Sequence, residues 1–469
     1  MKLRFLILLI TILTLLIAPR ITELAFTDPQ FDEVHAKAEQ GYAEAQYQLG
    51  KMYDDGKGVT QNDIEAIKWY RKAADQGLAD AQNSLGVMYA NHQGVAQDYA
   101  EALKCYRKSA EQHYAKAQYN LGMMYYTGRG VVQDYVEATQ WFRKAADHGI
   151  IPAQYNLGMM YYTGQGVIKD YVEAAQWFRK LAEQSNAEAQ RNLGMMYTNG
   201  QGVARDYVEA AKWFRRAADR GLADAQSNLG MMYTNGQGVA QDYVEAAKWF
   251  RRSAEQGFSY AQYNLGVVLY NGQGVAQDYV EAARWYRKAA EQSITEAQFN
   301  LGVMYKNGQG LAQDYAEAAK WYRKAAEQGF ANAQRNLGVM YYTGQGSEQN
   351  YVEALKWFRK AADQGDALAQ FHLGLMFANG QGIVQNYSDA LTWYRKAADQ
   401  GDVRAQYNLG VLYDNGQGVS KDEIEAVKWF QKAADQGFEP ARNVLKSLQK
   451  LENATHKVGY LIGNGCPHC

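Results

Sequence analysis

Cysteine is almost missing from this chain: Cys105, Cys466 and Cys469 are the three among 469 residues. Their spacing does not resemble a disulfide framework running through the body of the protein. Proline is equally scarce, with five residues against 44 glycines. So few prolines suit a helical protein, because proline interrupts the helical hydrogen-bond ladder; so many glycines need a structural reason. An excess of charge is missing too. Lys and Arg number 49 and Asp and Glu 50, which excludes the basic face that a nucleic-acid reader needs. What the chain does have is apolar residues, 47% of the total, enough to bury a core.

The N-terminus stands apart. Lys2 and Arg4 precede an apolar run from Phe5 to Ala18, interrupted by Thr11 and Thr14. A basic start and a short apolar stretch read as a signal peptide. A helix of that length spans only ~21 Å, short of the ~30 Å hydrocarbon core. Extending it from Leu3 to Leu24 would bury Arg4, Arg20 and Glu23. The cleavage signals are poor, since Pro19 follows Ala18 and Glu23 lies two residues before Ala25. Residues 1–27 are therefore expected to be either a signal peptide or an N-terminal membrane anchor, and both readings stand. Either one exports the rest of the chain: to the bacterial periplasm, to the inner membrane facing the periplasm, or out of the cell.

Repetition dominates the remainder. A Leu-Gly pair recurs from Leu49-Gly50 through Leu85-Gly86 and Leu121-Gly122 to Leu409-Gly410, always 36 residues apart and without an insertion. Such a period marks a repeat array. All ten tryptophans share one repeat position, and Cys105 takes it in the second repeat.

One unit, Leu222 to Gly257, shows the design. Ala225, Leu229 and Met232 form one apolar stripe of a helix A over about 223–234. Gly230 costs ~1 kcal/mol of helix propensity relative to Ala. Its recurrence in every unit implies close approach of a neighbouring helix. Gly236 and Gly238 suit a chain reversal through positive φ. Asp242 is an N-cap for a helix B that runs to about Gln256, and Glu245 sits at the capping-box spacing. Ala246, Ala247, Phe250 and Ala254 face inward. Trp249 widens that face, and is expected against the next unit. Gly257 fits the left-handed C-terminal position, which His113, Ser185 and Ser293 occupy with more strain in three units.

A lone hairpin of this size cannot bury its apolar face, but eleven stacked together make a continuous core. The expected fold is all-α: a superhelical α/α solenoid of eleven 36-residue helix-turn-helix repeats over 42–437. A capping helix over 28–41 precedes them and another over 438–451 follows. The tail 452–469 lacks the pattern and is expected to be flexible.

The recurring motif is Ala-x-Ala-Gln-x-x-Leu-Gly-x-Met-Tyr-x-x-Gly-x-Gly-Val, then Asp-Tyr-x-Glu-Ala-x-x-Trp-(Phe/Tyr)-Arg-Lys-Ala-Ala. It resembles the Sel-one-like repeat (SLR) family, relatives of the tetratricopeptide repeats, over about 42–450. The resemblance implies a right-handed α/α superhelix and an adaptor or scaffold role in complex assembly, envelope signalling, protein quality control or host interaction. One branch of that family is cysteine-rich, with hydrolase activity related to β-lactams. No repeat here holds a cysteine pair, so neither its disulfides nor its activity carries over.

A search for chemistry finds little. Seven histidines form no metal-ligand spacing. The Gly-x-Gly loops lie between helices and lack the strand and Lys-Ser/Thr of a phosphate cradle. No serine sits in a nucleophile elbow, and Asp242 and Glu245 fit capping better than an acid pair. Cys105 reads as a small buried hydrophobe. The terminal Cys466-Pro467-His468-Cys469 resembles the active site of periplasmic thiol oxidants. No helix follows it to lower a thiol pKa, but a redox or metal-binding tail is the alternative activity. Asn453-Ala454-Thr455 is a glycosylation sequon, relevant only in a host that makes N-glycans. The chain is thus expected to be no enzyme, to need no cofactor, and to bind protein or peptide ligands. Membrane attachment would come only through the N-terminal segment.

Partner binding should use positions that vary while the unit repeats. One column on helix A includes Tyr119, Tyr155, Arg191, Tyr263, Phe299 and Arg335. A second, seven residues later, includes Tyr126, Tyr162, Tyr270 and Tyr342. Seven residues make two helical turns, so both share a face. By helical arithmetic that face points away from the Ala225, Leu229 and Met232 stripe, toward a concave groove. The alternative is packing between repeats. Beside them runs an amide column with Asn156, Asn192, Asn228 and Asn264, able to grip an extended peptide or to tie adjacent repeats.

Overall fold

The computed structural model describes residues 29–450, where every regular element is an α-helix and no strand occurs. A helix over Pro29–Glu39 comes first and a helical segment over 439–450 last. Between them lie eleven helical hairpins. Hairpin 1 pairs Ala43–Asp55 with Asp63–Asp75, hairpin 2 Ala79–Asn91 with Tyr99–Glu111, and hairpin 3 Ala115–Thr127 with Tyr135–Asp147. Hairpin 4 pairs Ile151–Thr163 with Tyr171–Glu183 and hairpin 5 Ala187–Asn199 with Tyr207–Asp219. Hairpins 6 to 8 are Ala223–Asn235 with Tyr243–Glu255, Ser259–Asn271 with Tyr279–Glu291, and Thr295–Asn307 with Tyr315–Glu327. Hairpins 9 to 11 are Ala331–Thr343 with Tyr351–Asp363, Ala367–Asn379 with Tyr387–Asp399, and Val403–Asn415 with Glu423–Asp435. The fold is an all-α helical solenoid. The expected export segment 1–27 and the tail 452–469 lie outside the described residues.

Two compact units divide the chain between Arg220 and Gly221, the first with hairpins 1–5 and the second with hairpins 6–11. Within each unit, helix B of one hairpin packs on helix A of the next.

Hairpin 6 shows why the residues fold this way. Helix A ends at Gly236, whose φ of 67° is left-handed, and its N–H returns to the Met232 carbonyl. Helix B begins at Asp242, whose carboxylate accepts the Val244 and Glu245 N–H groups at 2.9 and 3.0 Å. The capping box is only half made. The Asp242 N–H is already bonded to the Tyr233 carbonyl, and the Glu245 carboxylate pairs with Lys248 at 2.6 Å. His113, Ser185 and Ser293 hold the helix-B exit at φ of 64°, 70° and 67°, left-handed angles that cost a side chain strain.

The eighth residue of helix A meets the eighth of helix B. A Cβ on Gly230 would lie 2.7 Å from Phe250 Cε1, and one on Gly122 2.7 Å from Phe142 Cδ1. Phe or Tyr occupies that helix-B place in all eleven hairpins, lying flat on the glycine. The glycine thus sacrifices propensity so that a large ring can be buried, a burial of about 2–3 kcal/mol.

The tryptophan column departs from expectation. It packs toward the preceding hairpin, not the next. Trp69 meets His35 of the leading helix at 6.0 Å, and Arg359 of hairpin 9 lies 6.0 Å from Trp393 of hairpin 10. Helix B of each hairpin must shield the apolar end of the hairpin before it, and the seventh residue leans that way. Cys105, in this place, packs with Ile67 and Tyr70 of hairpin 1.

Candidate functional site

Helix A carries its fifth, eighth and twelfth residues on one face, at i, i+3 and i+7. The glycine sits between the two variable columns, so the helix-B ring that covers it also reaches them. Tyr119 lies 5.8 Å from Phe142, Tyr155 5.8 Å from Phe178, Tyr263 5.9 Å from Tyr286, and Phe299 5.7 Å from Tyr322. The twelfth residues stack edge-on against the first tyrosine of helix B: Tyr126 on Tyr135, Tyr162 on Tyr171, Tyr270 on Tyr279 and Tyr342 on Tyr351, at 5.0–5.4 Å. The named rings of the fifth and twelfth columns are half-buried, whereas Phe142, Phe178, Tyr286 and Tyr322 beneath them are buried. The face is therefore not turned from the core. It rests on helix B and keeps part of its surface exposed. Burial holds the Tyr119 and Tyr263 hydroxyls above the usual phenol range.

Some of the hydroxyls have inter-hairpin work. Tyr162, Tyr270 and Tyr342 donate to Gln201, Gln309 and Gln381 in the loop of the following hairpin, at 2.9–3.0 Å. The two arginines of the first column are engaged as well. Arg335 donates to Asp366 Oδ2 at 2.8 Å, and Asp366 also caps helix A of hairpin 10 through the Ala369 N–H. Arg191 pairs with Glu188 at 2.9 Å and donates to Asn192 at 2.7 Å. They are structural partners rather than free cations.

The asparagine column bridges neighbours. Asn120 donates to Asn83 at 2.9 Å, Asn156 to Met123 Sδ at 3.5 Å, Asn192 to the Tyr155 hydroxyl at 3.2 Å, and Asn264 to Met231 Sδ at 3.5 Å. Asn228 is half-buried in the same column. The amides thus tie hairpins 3, 4, 5 and 7 each to the one before it. His372 takes the asparagine place in hairpin 10 and stacks on Phe358 at 4.7 Å. Burial, with the Arg404 charge second, pushes its pKa down to about 4.

Three columns escaped the sequence reading. The ninth residue of helix A, Met123, Met159, Met195, Met231, Val267, Val303, Val339, Leu375 and Val411 in hairpins 3–11, is partly exposed on the same face; its i+4 offset from the fifth column was the available signal. The fourth residue is a buried glutamine whose Nε2 donates to a backbone carbonyl of the preceding hairpin, as Gln298 does to Ala290 at 3.1 Å. Its invariance in a buried repeat could have marked it. Finally, the ninth residue of helix B is an arginine in hairpins 1–10, and in several of them it donates to the next hairpin's tyrosine hydroxyl, as Arg71 does to Tyr89 at 2.8 Å and Arg179 to Tyr197 at 2.7 Å.

Two cavities open on the helix-A face. One of about 230 Å³ is bounded by Tyr155, Asn156 and Glu188. Another of about 320 Å³ lies between hairpins 7 and 8. Among the described residues no group of three His, Cys, Asp or Glu side chains could hold a metal ion, and no helix is long and apolar enough to cross a membrane. Burial pushes the Cys105 thiol up to about 11, away from the reactive thiolate. Cys466, Cys469 and Asn453 lie outside the described residues.

Comparison with known proteins gives a consistent picture. The Sel1 repeat profile matches eleven consecutive segments, from 43–78 to 403–438. A protective antigen of uropathogenic Escherichia coli strains, displaying an SLR fold, is 41% identical over 90% of each chain with a TM-score of 0.78. A Sel1 repeat protein from Oxalobacter formigenes is 33% identical, covering 67% of this chain and 94% of its own, with a TM-score of 0.51. No curated protein matches the chain.

Proposed function

The chain belongs to the Sel1 repeat family, whose members are in general protein-interaction scaffolds, and from that premise we propose that it is a non-catalytic protein-binding scaffold of the cell envelope that holds partner polypeptides on its helix-A face. The observation that carries this is the half-open state of that face. Tyrosine rings, amides and methionine or valine side chains are fixed from behind by helix B and by neighbouring hairpins, yet stay partly exposed. Rigid aromatic surface already ordered before binding loses little entropy when a partner covers it, and aromatic and methionine-rich surface is the composition of interface cores. The envelope location rests on Lys2, Arg4 and the apolar run from Phe5 to Ala18. The similar E. coli protein, a protective antigen, fits a protein of this location.

The test uses the full chain with a C-terminal epitope tag in its own cells. It should fractionate with the envelope and bring specific proteins down with it. Met159→Lys with Val303→Lys, two partly exposed sites, should release those proteins while the thermal melt stays unchanged. Recovery from the cytosolic fraction would overturn the location. Undiminished capture by the double variant would overturn the face.

A further inference from the structure

The ninth column of helix A changes character along the chain, and two of its short members, Val267 and Val303, line the cavity between hairpins 7 and 8. In hairpin 3 the thioether of Met123 reaches forward to the Asn156 amide of hairpin 4, 3.5 Å away. Its counterpart in hairpin 7 is Val267, whose side chain ends two atoms earlier. Val303, in hairpin 8, is equally short. A space of about 320 Å³ opens here, with Val267 and Val303 along its floor and the rings of Tyr263, Tyr270, Tyr286 and Phe299 as walls. Asn271, which is exposed, and Asn300, which is half-buried, complete the rim. Asn300 faces the Tyr263 and Tyr286 hydroxyls.

From this geometry, and resting on the reading of the helix-A face as protein-binding, we infer that the cavity is a subsite for one apolar side chain, aromatic or branched, of an extended partner polypeptide. The lining carries no charged residue, so a charged group would lose its hydration without a counter-charge, whereas an apolar one gains from leaving water. The volume stands at the small end of ligand pockets, roughly 300–1,000 Å³, and suits a single side chain. A polypeptide is the source that fits the surroundings. Asn264, Asn300 and Asn336 repeat once per hairpin along the same column, each half-buried. Packed helices lie about 8–10 Å apart, and three extended residues cover about 10 Å. A segment crossing the helices can therefore set every third residue against the next amide, with one side chain dropping into the valine-floored gap.

The chain itself supplies a substitution that narrows the cavity at its floor. Methionine stands at this helix position in hairpins 3–6, so Val267→Met with Val303→Met is compatible with the fold. Methyl NMR of the full chain would be recorded during titration with a seven-residue capped Ser/Gly peptide bearing one central phenylalanine, and with versions bearing leucine, lysine or aspartate. The phenylalanine and leucine peptides should shift the Val267 and Val303 methyl signals saturably, and the double methionine variant should bind them at least tenfold more weakly with its melt unchanged. Preference for the lysine peptide would overturn the inference in favour of an aromatic box for cations. Equal affinity for free phenylalanine amide would make it a small-molecule pocket. Shifts confined to the Met123 and Met159 methyls would remove this cavity while leaving the scaffold reading intact. No shift at all would sink the subsite, and capture from the envelope would still judge the scaffold reading separately.

Discussion

In hairpins 6–11 the buried glutamine of helix A is used at both ends; in hairpins 3–5 it is used at one. The oxygens of Gln226, Gln262, Gln298, Gln334, Gln370 and Gln406 each accept from a second glutamine at the end of helix B, Gln256 through Gln436, at 2.8 Å. In hairpins 3–5 that donor place holds His148, Gln184 and Arg220, and the Gln118, Gln154 and Gln190 oxygens have no partner among the described residues. His148 turns its Nδ1 to the Lys144 carbonyl instead, at 2.8 Å. The same three hairpins carry methionine on the groove, where hairpins 7–11 carry valine or leucine. The difference teaches that two layers of the hairpin vary separately. The glycine and its covering ring form a frame common to every hairpin, whereas the polar ladder and the groove surface differ from region to region without disturbing it.

The largest effect should come from attacking the common frame. Gly158→Leu in hairpin 4 puts a Cβ 2.9 Å from the Phe178 ring, and Gly338→Leu in hairpin 9 puts one 2.7 Å from Phe358. Each should cost about 3 kcal/mol or more, because a packed ring must move. Urea denaturation with local hydrogen exchange would measure it. If either region absorbed the leucine without loss, the frame would not be common and the comparison would break.

A smaller contrast lies in the ladder. Gln298→Met removes two hydrogen bonds, one to Ala290 and one from Gln328, and leaves buried polar atoms stranded, at about 2–3 kcal/mol. Gln154→Met removes only the bond to Ala146 and should cost about 1 kcal/mol less. Equal losses in the two regions would mean that the second bond contributes nothing.

The smallest effect is a gain. His148→Gln gives hairpin 3 the donor type that hairpins 6–11 use, and the gain depends on the new amide turning toward the Gln118 oxygen, which Gln184 in hairpin 4 does not do for Gln154. Stability should rise by about 1 kcal/mol, seen as slower exchange at the junction of hairpins 3 and 4. An unchanged or lowered stability would show that the histidine contact with Lys144 is worth as much as the missing bond.

Much of this frame was legible in the sequence because it rests on local rules. The 36-residue step, the helix-ending glycines and the Asp242 cap each follow from backbone chemistry within a few residues. The site was less legible because it depends on which hairpin a side chain leans toward. Periodicity put the fifth and twelfth residues on one face of helix A, but not the fact that the ring above Gly122 spreads sideways to meet Tyr119 and Tyr126. Trp249 and its counterparts could be assigned to a neighbouring hairpin from size alone, yet the choice between the preceding and the following one depends on the crossing of the helices. Arg335 looked like an open cation because its partner, Asp366, lies 31 residues away.

The arginine–tyrosine contacts between hairpins bear on how the array can change in length over generations. Arg251 has no tyrosine before it, because Leu269 stands there, and it forms a pair with Glu281 at 2.6 Å instead. Loss of residues 259–294 by misaligned recombination would remove hairpin 7 whole and bring Arg251 opposite Tyr305, the kind of partner that Arg287 already has. Since the junction rule is the same on either side of the excised segment, one 36-residue block can leave the gene without orphaning a donor. Excision of hairpin 7 would therefore shorten the array by one repeat and leave the Arg251 junction with a tyrosine partner.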